Sequence, residues 1–119
     1  MCKYNVKFLI QETRKQGITK TAFNSGIKKR AIETWVYSQA VPSFANAVKW
    51  AKGLGYEFNM SKSEIFSYMK KFGLIKAAEA SGINIRTIRS WRYAGKEPPV
   101  NKIEQIMTAI GKPLELIKQ

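Results

Sequence analysis

Gly26–Trp35, GIKKRAIETW, and Gly82–Trp91, GINIRTIRSW, are two versions of one pattern. Each begins with Gly-Ile, and each has an Ile six residues and a Trp nine residues after the Gly. The Gly predicts a tight turn with a positive φ angle, because Gly adopts that conformation without steric cost. In the helix that follows, the second Ile and the Trp lie three residues apart and therefore share a buried face. The polar and mostly basic residues around them are expected on the opposite, exposed face.

The similarity between the two stretches extends along most of the chain without a gap, and every matched pair has the same separation in sequence as Gly26 and Gly82. We call this constant separation the copy offset; held over such a length, it indicates an internal duplication. We therefore divide the 119 residues into two tandem copies, residues 1–58 and 59–119, each predicted to be a small helix-turn-helix domain of four to five helices. The expected fold class is all-α. The matched residues outside the two stretches include Gly17 and Gly73, Lys20 and Lys76, Ala22 and Ala78, Tyr37 and Tyr93, Pro42 and Pro98, and Gly55 and Gly111.

Four helices are predicted in the first copy from the spacing of its apolar residues and from its Gly and Pro residues. They span residues 5–16, 19–25, 28–39 and 44–54. Thr19 and Ser43 are the predicted N-caps of the second and fourth helices. Val48 is expected on the buried face of the fourth helix, whereas Phe44 and Trp50 suit either a core or a dimer surface.

The second copy repeats this arrangement after a connector at residues 56–60, in which Phe58 is expected to pack into the core. Ser61 and Glu64 have the Ser-x-x-Glu spacing of a capping box, which predicts the start of the next helix. The final segment, residues 113–117, is predicted to form a short fifth helix that packs by Leu114 and Ile117.

The chain is strongly basic, since 21 Lys and Arg residues against 8 Asp and Glu residues give a net charge of +13. Because 45% of the residues are hydrophobic, this charge does not indicate a disordered chain. A basic folded protein favours a polyanionic partner, which is nucleic acid or, as a second option, an acidic membrane surface. No apolar run approaches the ~20 residues of a transmembrane helix, and no signal peptide is seen. We therefore expect a cytoplasmic protein with no membrane association.

Catalytic and metal chemistry are not expected from the residue types. The chain has no His and a single Cys, Cys2, and its acidic residues are scattered. It therefore lacks the commonest general base and the ligands of an ordinary zinc site. Cys2 cannot form an internal disulfide, which agrees with a reducing cytosol. We predict a binding protein without catalytic residues, cofactor or metal.

The residues around both turns resemble those of the Cro/repressor family of helix-turn-helix proteins. In the first copy the resemblance lies in residues 19–32, where Ala22 precedes Gly26 by four residues. In the second copy it lies in residues 77–91, which are similar to Cro-like phage and prokaryotic repressors, several of which have a Trp at the place of Trp91. The resemblance implies that the third helix of each copy enters the major groove of DNA. One difference is that the second copy has apolar Ile85 where the first has a Lys, at a position that usually reaches base edges in the family.

Twelve residues are expected to contact DNA, through phosphates or through base edges. Lys29, Arg30 and Arg86 suit guanine, Asn84 suits adenine and Ile85 suits a thymine methyl group. The three Arg residues of the second copy advance by threes and are expected to form one stripe, with the last on a phosphate. Tyr37 and Tyr93 are expected to be half-buried, with a hydroxyl free to reach a phosphate. The twelve residues are Lys20, Lys28, Lys29, Arg30, Thr34, Lys76, Asn84, Ile85, Arg86, Arg89, Ser90 and Arg92.

These features predict a sequence-specific regulator that binds double-stranded DNA, namely a repressor of phage, plasmid or bacterial origin. A homodimer is compatible with the pattern. Two other classes of protein fit the same sequence. One is an architectural or partition protein that coats DNA with little sequence preference, and the other is a phage-encoded inhibitor that uses this scaffold to block a host nucleoprotein.

We expect the affinity for DNA to depend steeply on salt. About 6 phosphate contacts would make the logarithm of the binding constant fall by about 0.9 per contact with the logarithm of the salt concentration. Fluorescence anisotropy of a labelled duplex over a series of NaCl concentrations measures this slope. A slope near zero would exclude nucleic acid as the partner.

Overall fold

The computed structural model describes residues 4–38 and 40–119, so Cys2 and the predicted helix end at Gln39 lie outside the described residues. Within these residues the chain is mostly helical, which confirms the all-α class, and a two-stranded sheet is added to eight helices. In the first copy the elements are α1 (Tyr4–Gln16), α2 (Ile18–Ser25), α3 (Lys29–Tyr37), α4 (Phe44–Leu54) and β1 (Tyr56–Phe58). In the second copy they are α5 (Lys62–Phe72), α6 (Leu74–Ser81), α7 (Ile85–Tyr93), α8 (Val100–Ala109) and β2 (Leu116–Lys118).

The turn that the sequence predicts between the second and third helices is present in both copies. Gly26 has a φ angle of 72° and Gly82 one of 78°, both in the left-handed region. The N–H of Gly26 donates to the carbonyl of Ala22 at 3.0 Å, and the N–H of Gly82 donates to that of Ala78 at 2.9 Å. A left-handed residue that closes such a bond is a standard helix end. The same backbone geometry therefore recurs at equivalent residues of the two copies.

Two of the three predicted N-caps are confirmed, and α3 begins at Lys29, one residue after its predicted start. The hydroxyl of Ser43 accepts from the N–H of Asn46 at 3.2 Å, and Ser61 and Glu64 form the expected reciprocal capping box. The prediction that Thr19 caps α2 is wrong, because Gly17, with a φ angle of 99°, precedes the helix directly and no side chain caps it. A single Gly can turn the chain sharply between α1 and α2, so Thr19 lies inside the first turn of α2 and is exposed.

Trp50 occupies the centre of the first copy, so the alternative of a dimer surface is wrong for this residue. It is fully buried, and its indole N–H donates to the hydroxyl of Thr13 at 2.8 Å. Its ring centroid lies 5.1 Å from that of Trp35. Phe44 is buried as well and packs on Phe58 with a centroid distance of 5.4 Å. The prediction that Val48 is buried is wrong, since it is 37% exposed on the outer face of α4.

The predicted C-terminal helix at residues 113–117 is wrong. The chain instead forms β2, which pairs antiparallel with β1 so that Tyr56 faces Lys118 and Phe58 faces Leu116. Leu114 is buried as expected, but Ile117 is 52% exposed. Side chains of a strand alternate between two faces, so Leu114 and the half-buried Leu116 point to the core while Ile117 points away. The period of two in this segment was the signal for a strand.

The two copies also pair with each other at equivalent residues. Ser43 forms an antiparallel bridge with Pro99, its equivalent under the copy offset. The N–H of Phe44 donates to the carbonyl of Pro98 at 2.8 Å, and the N–H of Val100 donates to that of Pro42 at 3.1 Å. Each bond is the counterpart of the other. Reciprocal contacts of this kind are produced by a local two-fold axis.

The buried apolar residues of both copies form one continuous cluster. The boundary predicted after residue 58 falls between β1 and α5, in the segment that joins the copies. The division into two domains, residues 1–58 and 59–119, stays a prediction.

A buried carboxylate contributes to the contact between the copies. Glu104 of α8 is 4% exposed, and its Oε2 accepts from the backbone N–H of Asn5 at 3.1 Å and from the side-chain amide of Asn5 at 2.6 Å. Its Oε1 is buried without a hydrogen-bond partner among the described residues. Burial raises the pKa of Glu104 to about 7, although both hydrogen bonds from Asn5 lower it. The folded protein therefore binds a proton at Glu104 more tightly than the unfolded chain does.

We predict that the free energy of unfolding falls between pH 4.5 and about pH 8 because of this carboxyl group. Below its ordinary pKa of 4.5 Glu104 is protonated in both states, and its stabilisation is lost as the pH rises through the folded-state pKa of about 7. A shift of this size corresponds to roughly 3 kcal/mol. Urea unfolding at pH 5 and pH 8.5 should show a clear loss for the parent and a much smaller one for Glu104→Gln. Equal losses in the two proteins would contradict the assignment.

We also predict that Gly82→Val destabilises the fold. A Cβ atom at Gly82 would meet no atom within 4 Å, so the cost comes from the backbone angle alone. For a β-branched residue at a positive φ angle this cost is about 1–3 kcal/mol. Gly82→Asn is the matched control, since Asn tolerates this region better and should lower the melting temperature less. If the Val variant melted with the parent, the turn would be misplaced.

Candidate nucleic-acid interface

In the first copy, α3 presents one buried and one basic face. Ile32 is fully buried and Trp35 is 7% exposed, as the spacing predicts. Lys29 and Arg30 are exposed in the first turn of the helix. Lys28 is exposed as well but precedes the helix as its N-cap residue, with an extended backbone. The three cations therefore form a continuous basic surface at the N-terminal end of α3.

Thr34 lies on the same exposed side of α3, one turn further on. Its hydroxyl donates to the carbonyl of Arg30 at 2.9 Å. This bond uses the only proton of the hydroxyl, so towards a ligand Thr34 offers an acceptor and a methyl group.

The second copy places its cations in the same way on α7. Ile88 is fully buried and Trp91 is 6% exposed, while Arg86 and Arg89 are exposed. Ser90 is half-buried, and its hydroxyl donates to the carbonyl of Thr87 at 2.7 Å.

Arg92 does not continue the exposed stripe that its spacing predicts. It is half-buried, its Nε is buried without a partner among the described residues, and its guanidinium lies 5.5 Å from the centroid of the Tyr93 ring. A step of three residues falls about 60° short of a full helical turn, so two such steps from Arg86 rotate Arg92 by about 120°. Arg86 and Arg89 share the exposed face, and Arg92 lies at its border with the core.

Asn84 is exposed but partly committed within the protein. It is the N-cap of α7, and its side-chain oxygen accepts from the N–H of Arg86 at 2.8 Å. Adenine is recognised by an Asn through both its oxygen and its amide N–H. The cap uses one of the two lone pairs of the Asn84 oxygen, so adenine would have to be read by the second lone pair and the N–H groups in the orientation that the cap fixes.

The surface of the second copy beside the turn at Gly82 is largely apolar. Ile85 is half-buried and Ile75, at the start of α6, is 59% exposed. Both line a shallow cavity of about 400 Å³ together with Ala78 and Ile83. In the first copy the equivalents of Ile75 and Ile85 are polar, Thr and Lys. The two copies therefore share a backbone geometry but present different surfaces.

The Lys residues predicted beside the turns, Lys20 and Lys76, are both exposed. In the part of the chain that the structure describes, no salt bridge joins a cation of α3 or α7 to an acidic side chain. Within the described residues the salt bridges join Lys15 to Glu12, at 3.3 Å, and Lys62 to Glu97, at 3.1 Å. Both lie outside the two helices and their N-caps. Unpaired cations on neighbouring turns produce a positive potential that attracts a polyanion.

Two aromatic features differ from the sequence-based prediction or were missed by it. Tyr37 and Tyr93 are 67% and 70% exposed, so the half-buried position expected for them is wrong. They follow the buried Trp by two residues, which is about 200° around a helix and therefore on the outer side. Phe23 of α2 is 87% exposed, and sequence reasoning did not single it out. The signal was Glu79 at the equivalent position of the second copy, since a charged residue there indicates a surface site.

The longest described helix, α1, has 13 residues, and no helix in residues 4–38 and 40–119 combines the length and the apolar character that a bilayer crossing requires. Comparison with protein-family models, with curated protein sequences and with solved structures found no match.

Proposed function

We propose that this chain is a sequence-specific protein that binds double-stranded DNA and regulates transcription, as a repressor of the Cro type from a phage, a plasmid or a bacterium. The observation that supports the proposal is the repeated geometry of turn and helix. In both copies a left-handed Gly joins a short helix to a second one with a buried Ile and Trp, and the exposed side of the second helix has unpaired cations. A helix of this size fits the major groove of B-DNA.

The mechanism is binding alone. Exposed Lys residues beside the turns, such as Lys20 and Lys76, contact phosphates and supply affinity that is independent of sequence. Lys29, Arg30 and Arg86 contact guanine through its O6 and N7 acceptors, and Ile85 contacts a thymine methyl group. Occupation of a promoter by the protein then excludes RNA polymerase, which is how such a repressor acts.

Selection of bound sequences from a random pool of duplexes tests the proposal, followed by competition between the selected site and random DNA. A repressor should prefer its site ~10³-fold or more, whereas a coating protein would show a ratio near one. A protein that acts on a host nucleoprotein would bind no duplex and would instead retain a partner from nuclease-treated lysate.

Two variants, Lys29→Ala with Arg30→Ala and Arg86→Ala, should each relax the preference in a different block of bases. Each guanine contact is worth about 1–3 kcal/mol of discrimination. The control Lys52→Ala with Lys118→Ala removes two charges from exposed residues of α4 and β2, as the first variant does from α3, and Lys52→Ala alone removes one charge, as Arg86→Ala does. The control should weaken binding to all sequences equally and leave the preference unchanged. Relaxation of the same bases by both test variants would mean that the copies do not read DNA side by side.

A further inference from the structure

We propose that one chain acts as a complete pseudo-dimer, in which α3 and α7 read two unlike half-sites that are inverted relative to each other in one duplex. This inference rests on the proposed function and adds the orientation of the half-sites and the number of chains bound. It follows from the symmetry of the contacts between the two copies.

The first contact on the symmetry axis is the bridge between Ser43 and Pro99. These residues are equivalent under the copy offset, and they lie opposite each other in antiparallel orientation. Phe44 is the equivalent of Val100, and Pro42 is the equivalent of Pro98. The two flanking hydrogen bonds, Phe44 to Pro98 and Val100 to Pro42, are therefore the same bond seen from the two copies. Two copies in a head-to-tail array present different surfaces to each other, so equivalent residues do not face one another in such an array. A two-fold axis passes between Ser43 and Pro99.

The second contact on the axis is at the end of the sheet. The register of β1 and β2 pairs Phe58 with Leu116 and, one residue further, places Asn59 opposite Glu115. Asn59 and Glu115 are again equivalents under the copy offset. The N–H of Asn59 donates to the carbonyl of Glu115 at 2.9 Å, and the N–H of Glu115 donates to the side-chain oxygen of Asn59 at 2.9 Å. Two separate pairs of equivalent residues therefore define one axis through the molecule.

The axis also relates α3 to α7, because they are equivalent helices of the two copies. Reading helices related by a two-fold axis read half-sites that are inverted, as in a symmetric repressor dimer. The Cα atoms span 41 Å along the longest dimension of the molecule. This exceeds the ~34 Å that separate successive major grooves on one side of B-DNA. The proposal requires α3 and α7 to lie towards the two ends of this dimension, and the overall length of the chain allows it.

The half-sites differ because the exposed residues differ. Arg30 and Arg86 are equivalent, so both half-sites should contain a guanine at the symmetric position. Beside it, Lys29 of the first copy corresponds to Ile85 of the second, so one half-site has a further guanine and the other a thymine. The expected site is an inverted repeat that agrees in one base and differs in its neighbour.

The test compares three duplexes that are built from the selected site. One is the site itself, one has a half-site reversed to make a direct repeat, and one has a half-site scrambled. Linked readers that bind together gain about 10²-fold or more over one reader alone, so the reversed duplex should bind ~10²-fold more weakly and no better than the scrambled one. Native mass spectrometry of the complex with the intact site should give one chain per duplex.

The strand of each guanine provides a second measurement. Under the two-fold arrangement, Arg30→Ala should abolish the preference for a guanine on one strand. Arg86→Ala should abolish the preference for a guanine on the opposite strand. Both residues are exposed, so circular dichroism should show that the variants fold as the parent does. Lys52→Ala with Lys118→Ala should alter neither position.

Equal affinity for the direct repeat, both guanines on one strand, or two chains per duplex would each overturn the pseudo-dimer while leaving a DNA-binding function intact. Failure to enrich any sequence would instead refute the proposed function, and the inference would fall with it.

Discussion

Two backbone hydrogen bonds, from Phe44 to Pro98 and from Val100 to Pro42, join the two halves of the molecule at equivalent residues, together with the sheet of β1 and β2. Pro42 and Pro98 have no N–H and can offer only their carbonyls, so the pairing is limited to these two bonds and their shared bridge. The bonds lie at the starts of α4 and α8, the helices that pack behind α2 and α6. The contacts that join the two copies at these residues therefore lie outside both basic helices, α3 and α7.

Duplication has kept this framework while the interiors of the copies changed in a correlated way. In the first copy the buried Trp50 donates to the buried Thr13, and at the equivalent positions of the second copy the buried residues are Ile106 and Met69. A buried polar group that loses its partner is costly, whereas replacing both partners with apolar groups can be nearly neutral. With both members of the pair different, the second copy has two apolar residues at the places where the first copy has a hydrogen bond.

The sequence alone predicted the parts of the fold that depend on short-range periodicity. The turn at Gly26, the buried Ile32 and Trp35, and the cap at Ser61 are all set by residues within one or two turns of a helix. The C-terminal segment was predicted as a helix because the partner of β2 lies in the other copy, and pairing over that distance leaves no local signal beyond the alternation of side chains. The two-fold relation between the copies could not be predicted for the same reason. The copy offset shows which residues are equivalent, but it does not show how the two copies are oriented.

The sequence predicted on which helix face most of the candidate contact residues lie, but it did not predict the hydrogen bonds and burial of their individual atoms. Lys29, Arg30, Arg86 and Arg89 are exposed as the period of the helix requires. The Asn84 oxygen caps α7 because a local hydrogen bond forms there. Arg92 lies towards the core because each step of three residues falls short of a full helical turn.

Joining the two copies in one chain changes how they respond to dilution. Two separate subunits part as their concentration falls, so an obligate dimer has a stability that depends on the amount of protein. Here the partners remain attached through the segment between β1 and α5, and their encounter is intramolecular at any concentration. For the proposed regulator, occupancy of a site would then depend on the first power of the protein concentration. The response to gene dosage would be graded, whereas a regulator that must dimerise before it binds responds with a threshold.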